Sequence, residues 1–150
     1  MTQHKRTLSR LYTDPFIWII VVCACLFWLL LSFYFPITTN LQWPITSPLV
    51  FLVPVIVYPI LEEIVFRGAV MEFIHEKLPG IFIFHLSKSN IITSILFSSL
   101  HFFYHPPIWA AAVFIPSLVF GLLKERYQSL VPPILLHVFF NAGYYWLFYK

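Results

Sequence analysis

From Pro15 to Phe35 the chain runs for 21 residues without a formal charge. At about 1.5 Å per residue, a helix of that length spans the ~30 Å hydrocarbon core of a bilayer. A cleaved leader is the rival reading. The run exceeds the 7–15 residues typical of a leader's apolar segment, and no small-x-small cleavage site follows it. It therefore predicts a retained first membrane helix. Composition points the same way. The chain is 60% hydrophobic and 10% charged, with a mean hydropathy of +0.84. Soluble domains carry about 25% charged residues. A soluble core has no room for this much apolar surface, so the prediction is an all-α integral membrane protein. The net charge of +3 is small and scattered. No phosphate-binding glycine loop or basic stripe is present, so nucleic acid is not an expected partner.

The chain reads as a single membrane domain, residues 1–150. Residues 1–14 form a polar tail and 15–35 the first span. Four more spans follow, over Leu49–Met71, Ile91–Tyr104, Trp109–Leu123 and Leu130–Tyr149. Pro36 to Pro48 reads as a short loop. Pro54 and Pro59 predict a kink in the second span, and Pro116 one in the fourth. Carbonyls freed at such a kink are tolerated only where protein or cavity water satisfies them. Leu78-Pro79-Gly80 reads as a turn, and Ile81–Leu86 as an interfacial or re-entrant piece too short to span. Lys5, Arg6, Arg10, Lys77, Lys88, Lys124 and Arg126 fall on one side of this parse and Lys150 on the other. The positive-inside rule then places the N-terminus in the cytoplasm and the C-terminus outside. The expected location is the cell inner (cytoplasmic) membrane, multi-pass. Cys23 and Cys25, two apart on one helix, cannot bridge each other and read as packing residues.

Against this apolar background, Glu62-Glu63-Ile64-Val65-Phe66-Arg67-Gly68 stands out. Each charge costs about 2.5–3.5 kcal/mol near the centre of a membrane helix, so three together mark a functional site. Glu63 and Arg67 are i, i+4 and predict an ion pair. Glu62 lies about 100° further round the helix, and so is the acid that this pair does not use. Counted inward from the span ends, Glu62 and His137 lie roughly 10 Å deep, and His101 and Asn141 roughly 15–16 Å. Three helices thus bring four polar groups to one layer. A carboxylate, two imidazoles and a carboxamide can together activate water and stabilise an oxyanion.

Glu62-Glu63-x-x-x-Arg67, Phe97-x-x-x-His101 and His137-x-x-x-Asn141, in order and each on an apolar span, resemble the three motifs of the CAAX-protease and bacteriocin-processing family. These are glutamate-type intramembrane endopeptidases. The resemblance covers roughly Val50 to Tyr144. It implies that Glu62 and His101 activate the attacking water, that His137 and Asn141 bind the oxyanion, and that Glu63 and Arg67 support the site. It implies no cofactor and no metal. The implied partners are membrane lipid and a peptide or protein substrate with a membrane-embedded or C-terminal tail. A bacteriocin precursor or a C-terminal sorting signal fits that description.

Two other readings use the same residues. Glu62, His101 and His137 could serve as three ligands of a catalytic zinc, although no His-Glu-x-x-His is present. A non-catalytic bacteriocin-immunity or scaffold protein could keep the fold without the chemistry. His4, His75, His85 and His105 read as ordinary tail, loop or interface histidines. Ser98 and Ser99 read as small packing residues rather than nucleophiles. Tyr144-Tyr145-Trp146 reads as an outer aromatic anchor.

Overall fold

The structure is a computed structural model that describes residues 10–83 and 86–149. His4, Lys5, Arg6, His85 and Lys150 fall outside these. The protein is an all-α membrane protein, with two short strands as its sheet content among the described residues. Its helices include α1 (Pro15–Ser32), α2 (Trp43–Thr46), α3 (Pro48–Lys77), α4 (Lys88–His101), α5 (Pro107–Ala112), α6 (Phe114–Tyr127) and α7 (Val131–Phe148). Among the described residues, three stretches are long and apolar enough to cross a membrane: α1, α3, and α5 with α6 as one 21-residue run. The 14 residues of α4 extend only about 21 Å. The 18 residues of α7 are diluted by His137, Asn141 and an aromatic end.

Local chemistry sets the helix ends. Asp14 caps α1, its carboxylate accepting from the Phe16 N–H at 3.0 Å, with Pro15 in the first turn where its missing N–H costs nothing. Ser87 caps α4 by accepting from the Asn90 N–H at 2.9 Å. Gln128, at φ 50°, closes α6 in the left-handed region.

Several predicted boundaries are corrected. Helix α3 runs to Lys77 rather than Met71, because Glu72–Lys77 contains no helix breaker; the end of an apolar run marks a polarity boundary, not a backbone one. His75 accordingly sits on a helix, exposed, and not in a loop. Helix α4 starts at Lys88, where Ser87 caps it, and ends at His101, so Phe102–Tyr104 are non-helical. Helix α1 stops at Ser32, not Phe35. The predicted loop 36–48 contains the single turn α2. Residues Ile81–Ile83 and Leu86–Ser87 form β1 and β2, a short antiparallel pair. The fourth predicted span is interrupted at Val113, between α5 and α6, one turn before Pro116, where a kink was expected.

The chain divides into two compact units, residues 1–59 with 137–150, and residues 60–136. In the first, Trp28 of α1 packs on Phe139 at 5.1 Å and lies over Gly143. A Cβ at Gly143 would overlap the Trp28 ring, so only glycine admits it. Trp43 stacks on Tyr149 and donates its indole N–H to the Trp146 carbonyl at 3.2 Å; Trp146 in turn donates to the Leu41 carbonyl at 3.0 Å.

In the second unit, α4 packs on α6 through Asn90, which donates to the Leu118 carbonyl and accepts from Ser94. Gly121 leaves the room that Asn90 fills. Phe97, Phe120 and Leu123 form the apolar centre. Ser98 donates to the Ala110 carbonyl at 2.6 Å, which ties α4 to α5. Ser99 donates to the Ile95 carbonyl one turn back. Lys124 and Glu72 form an ion pair at 2.6 Å that joins the C-terminal ends of α6 and α3.

Candidate active site

Helix α3 is not a uniform α-helix. Two stretches, Val53–Val57 and Ile64–Val70, adopt the wider π register with i→i+5 hydrogen bonds. Such segments recur at functional sites. The first contains Pro54 and precedes Pro59; the second contains Arg67.

Glu63 and Arg67 form the predicted pair, with Nη1 to Oε1 at 3.1 Å and both side chains essentially sealed from solvent. The guanidinium does more than pair. Its Nη2 donates to the Ser117 Oγ at 2.6 Å and to the Ser117 carbonyl at 2.9 Å. Its centre lies 4.7 Å from the Phe97 ring and 5.4 Å from the Phe120 ring. A planar, delocalised cation suits a slot between aromatic faces, where a lysine ammonium would not fill it. Arg67 thereby links α3, α4 and α6. Glu62 is half-buried. Its charge also acts on Arg67, although the pairing geometry assigns Arg67 to Glu63.

His101 ends α4 and is half-buried. Its Nδ1 lies 2.9 Å from the Phe97 carbonyl. A carbonyl only accepts, so Nδ1 carries a proton; when the ring is neutral its lone pair is then on Nε2. The ring packs on Phe97 at 4.7 Å, and Phe97 packs on Phe66 at 4.9 Å. His105 stacks on His101 at 5.6 Å, a contact beyond the solvated role predicted for it. Glu62, Glu63, Arg67 and His101 thus share the second unit, with Phe97 linking the arginine to the histidine.

His137 and Asn141 belong to the first unit, one turn apart on α7. His137 is buried and Asn141 half-buried. Asn141 Nδ2 donates to the Pro54 carbonyl at 2.8 Å. Among the described residues, no three His, Cys, Asp or Glu side chains are grouped to hold a metal ion.

Ser117 was not singled out from sequence. Its signal was weak: a serine beside the kinking Pro116, on a helix with no other hint of function.

Comparison with known families settles the membership. The Rce1-like family, described as type II CAAX prenyl endopeptidase Rce1-like, matches residues 44–143. The chain belongs to this family. The match covers two thirds of the chain and encloses all three motifs, from Glu62 to Asn141. Rce1-like membership implies a CAAX-type intramembrane protease, a hydrolase that acts on a peptide or protein in a membrane setting. No curated protein and no solved structure matches the chain.

Proposed function

We propose that this Rce1-like protein is a glutamate-type intramembrane endopeptidase in which Glu62 and His101 activate water while His137 and Asn141 stabilise the oxyanion. The observation that carries this reading is the division of labour between adjacent glutamates. Glu63 is committed to Arg67, in a sealed site that Ser117 completes. Glu62 is half-buried rather than sealed, the exposure that a general base needs.

The chemistry then follows from donor and acceptor types. Water gives a proton to the Glu62 carboxylate, with His101 Nε2 accepting a hydrogen bond, and its oxygen attacks the scissile carbonyl carbon. The carbonyl oxygen becomes an oxyanion, and N–H groups of His137 and Asn141 stabilise it. Collapse breaks the C–N bond, and the proton held by Glu62 passes to the leaving amine. Glu63 and Arg67 keep α3 in register. In this account α4 and α7 complete five spans in a cytoplasmic membrane, with the N-terminus inside. The substrate is a peptide or protein tail reached from the membrane.

The test uses the full chain in proteoliposomes with two quenched peptides. One ends in a prenylated CAAX sequence, the other in an apolar helix with a basic tail. Cleavage of either that is lost in both Glu62→Gln and His101→Ala supports the reading, and the preferred peptide names the substrate class. Cleavage that persists in Glu62→Gln, or no cleavage of either peptide by the wild type, contradicts it.

A further inference from the structure

We propose that Pro59 and Pro54 are positioning residues for Asn141: the carbonyl that Pro59 leaves open at Pro54 fixes the Asn141 carboxamide in the orientation that presents an N–H to the oxyanion. This rests on the proposed role of Asn141 in catalysis.

In the π stretch Val53–Val57, the Tyr58 N–H bonds to the Val53 carbonyl, five residues back. The next donor in that register belongs to residue 59, and its acceptor is the Pro54 carbonyl. Residue 59 is proline, which has no N–H. Tyr58 is already engaged one position earlier, so the π register itself offers the Pro54 carbonyl no donor. In hydrocarbon an open carbonyl is costly. Asn141 meets it, with Nδ2 at 2.8 Å. Pro59 is itself fully buried.

The consequence for Asn141 is orientational. A carboxamide can flip, exchanging its oxygen and nitrogen. An acceptor-only partner forbids the flip, because Oδ1 facing the Pro54 carbonyl would put two acceptors together. One Nδ2 hydrogen is held by Pro54. The second is directed by the planarity of the amide and needs no reorganisation when negative charge develops. Preorganised donors of this kind are what oxyanion stabilisation requires. The π register and the two prolines, which cost helix stability, thereby supply a fixed dipole.

The experiment is a double-mutant cycle between Pro59→Ala and Asn141→Ala, read as kcat and KM on the quenched peptides in proteoliposomes. Alanine at 59 restores an N–H that competes for the Pro54 carbonyl. The expected result for Asn141→Ala is a fall in kcat of about 10²–10³-fold, the size of one lost oxyanion donor. Pro59→Ala is expected to lower kcat at least about tenfold with KM unchanged, and to cost nothing further in the Asn141→Ala background. A purely structural proline would cost the same in both backgrounds, and that result overturns the proposal. So does full activity of Pro59→Ala alongside a large loss in Asn141→Ala, an outcome that leaves the oxyanion role standing. Full activity of Asn141→Ala overturns the oxyanion role itself. A second readout needs no change at 59. With carbonyl-¹³C proline, the infrared difference between wild type and Asn141→Ala is expected to show one proline carbonyl moving to higher frequency; a flat difference overturns the proposal.

Discussion

Arg67 Nη2 lies 2.6 Å from the Ser117 Oγ and 2.9 Å from the carbonyl of the same residue, so a single nitrogen ties α3 to α6. The serine hydroxyl is therefore a structural element of the candidate site, although it touches no proposed reacting group. Replacing Ser117 with alanine removes one hydrogen bond to a charged donor while the carbonyl remains. The expected loss is about 1.5–3 kcal/mol of stability, measured by thermal unfolding in detergent. An unchanged unfolding temperature would show that the hydroxyl contact is dispensable.

Arg67→Ala removes the whole link and leaves Glu63 charged in a sealed site. Breaking a buried pair from one side costs about 3–5 kcal/mol. The variant is expected to accumulate poorly in membranes. The double variant Arg67→Met, Glu63→Leu should recover folding, because it leaves no buried charge. Recovery of the fold is measured by the same thermal transition.

Gly121 faces Asn90 so closely that a Cβ there would overlap the carboxamide. Gly121→Ala should destabilise the second unit by about 1–3 kcal/mol, the usual cost of overpacking. Adding Asn90→Ser, which shortens the obstructing side chain, should return part of that loss. A Gly121→Ala variant as stable as wild type would show that α4 and α6 can separate freely.

How much of this was legible in the sequence depends on the kind of interaction. The Glu63–Arg67 pair was legible because its partners lie one turn apart, where spacing alone decides contact. The apolar runs of α1 and α3 were legible because bilayer thickness sets a length. Ser117 under Arg67 and Asn90 against Gly121 join separate helices, and nothing in linear spacing links them. The two prolines announced a distortion in α3, but its π register and the choice of Asn141 as the group that meets Pro54 are tertiary outcomes. The ends of α3 and α4 were misjudged because hydropathy tracks the lipid boundary, whereas caps such as Ser87 and breakers such as Pro79 end helices.

The proposed chemistry uses carboxylate, imidazole and amide alone. Cleavage of the quenched peptide by purified protein is therefore expected to survive exhaustive chelation, with the rate within about twofold of the untreated enzyme. Loss on chelation followed by recovery with zinc would instead make Glu62, His101 and His137 a ligand set.

The assignment of roles to the two glutamates is tested most directly by single-turnover cleavage in Glu62→Gln beside Glu63→Gln, each with its thermal transition. Glu62→Gln is expected to keep the wild-type transition and to lose at least about 10²-fold in rate, as removal of a general base requires. Glu63→Gln should lower the transition temperature, and its folded fraction should retain the greater activity. A Glu62→Gln protein that cleaves at the wild-type rate would contradict the account.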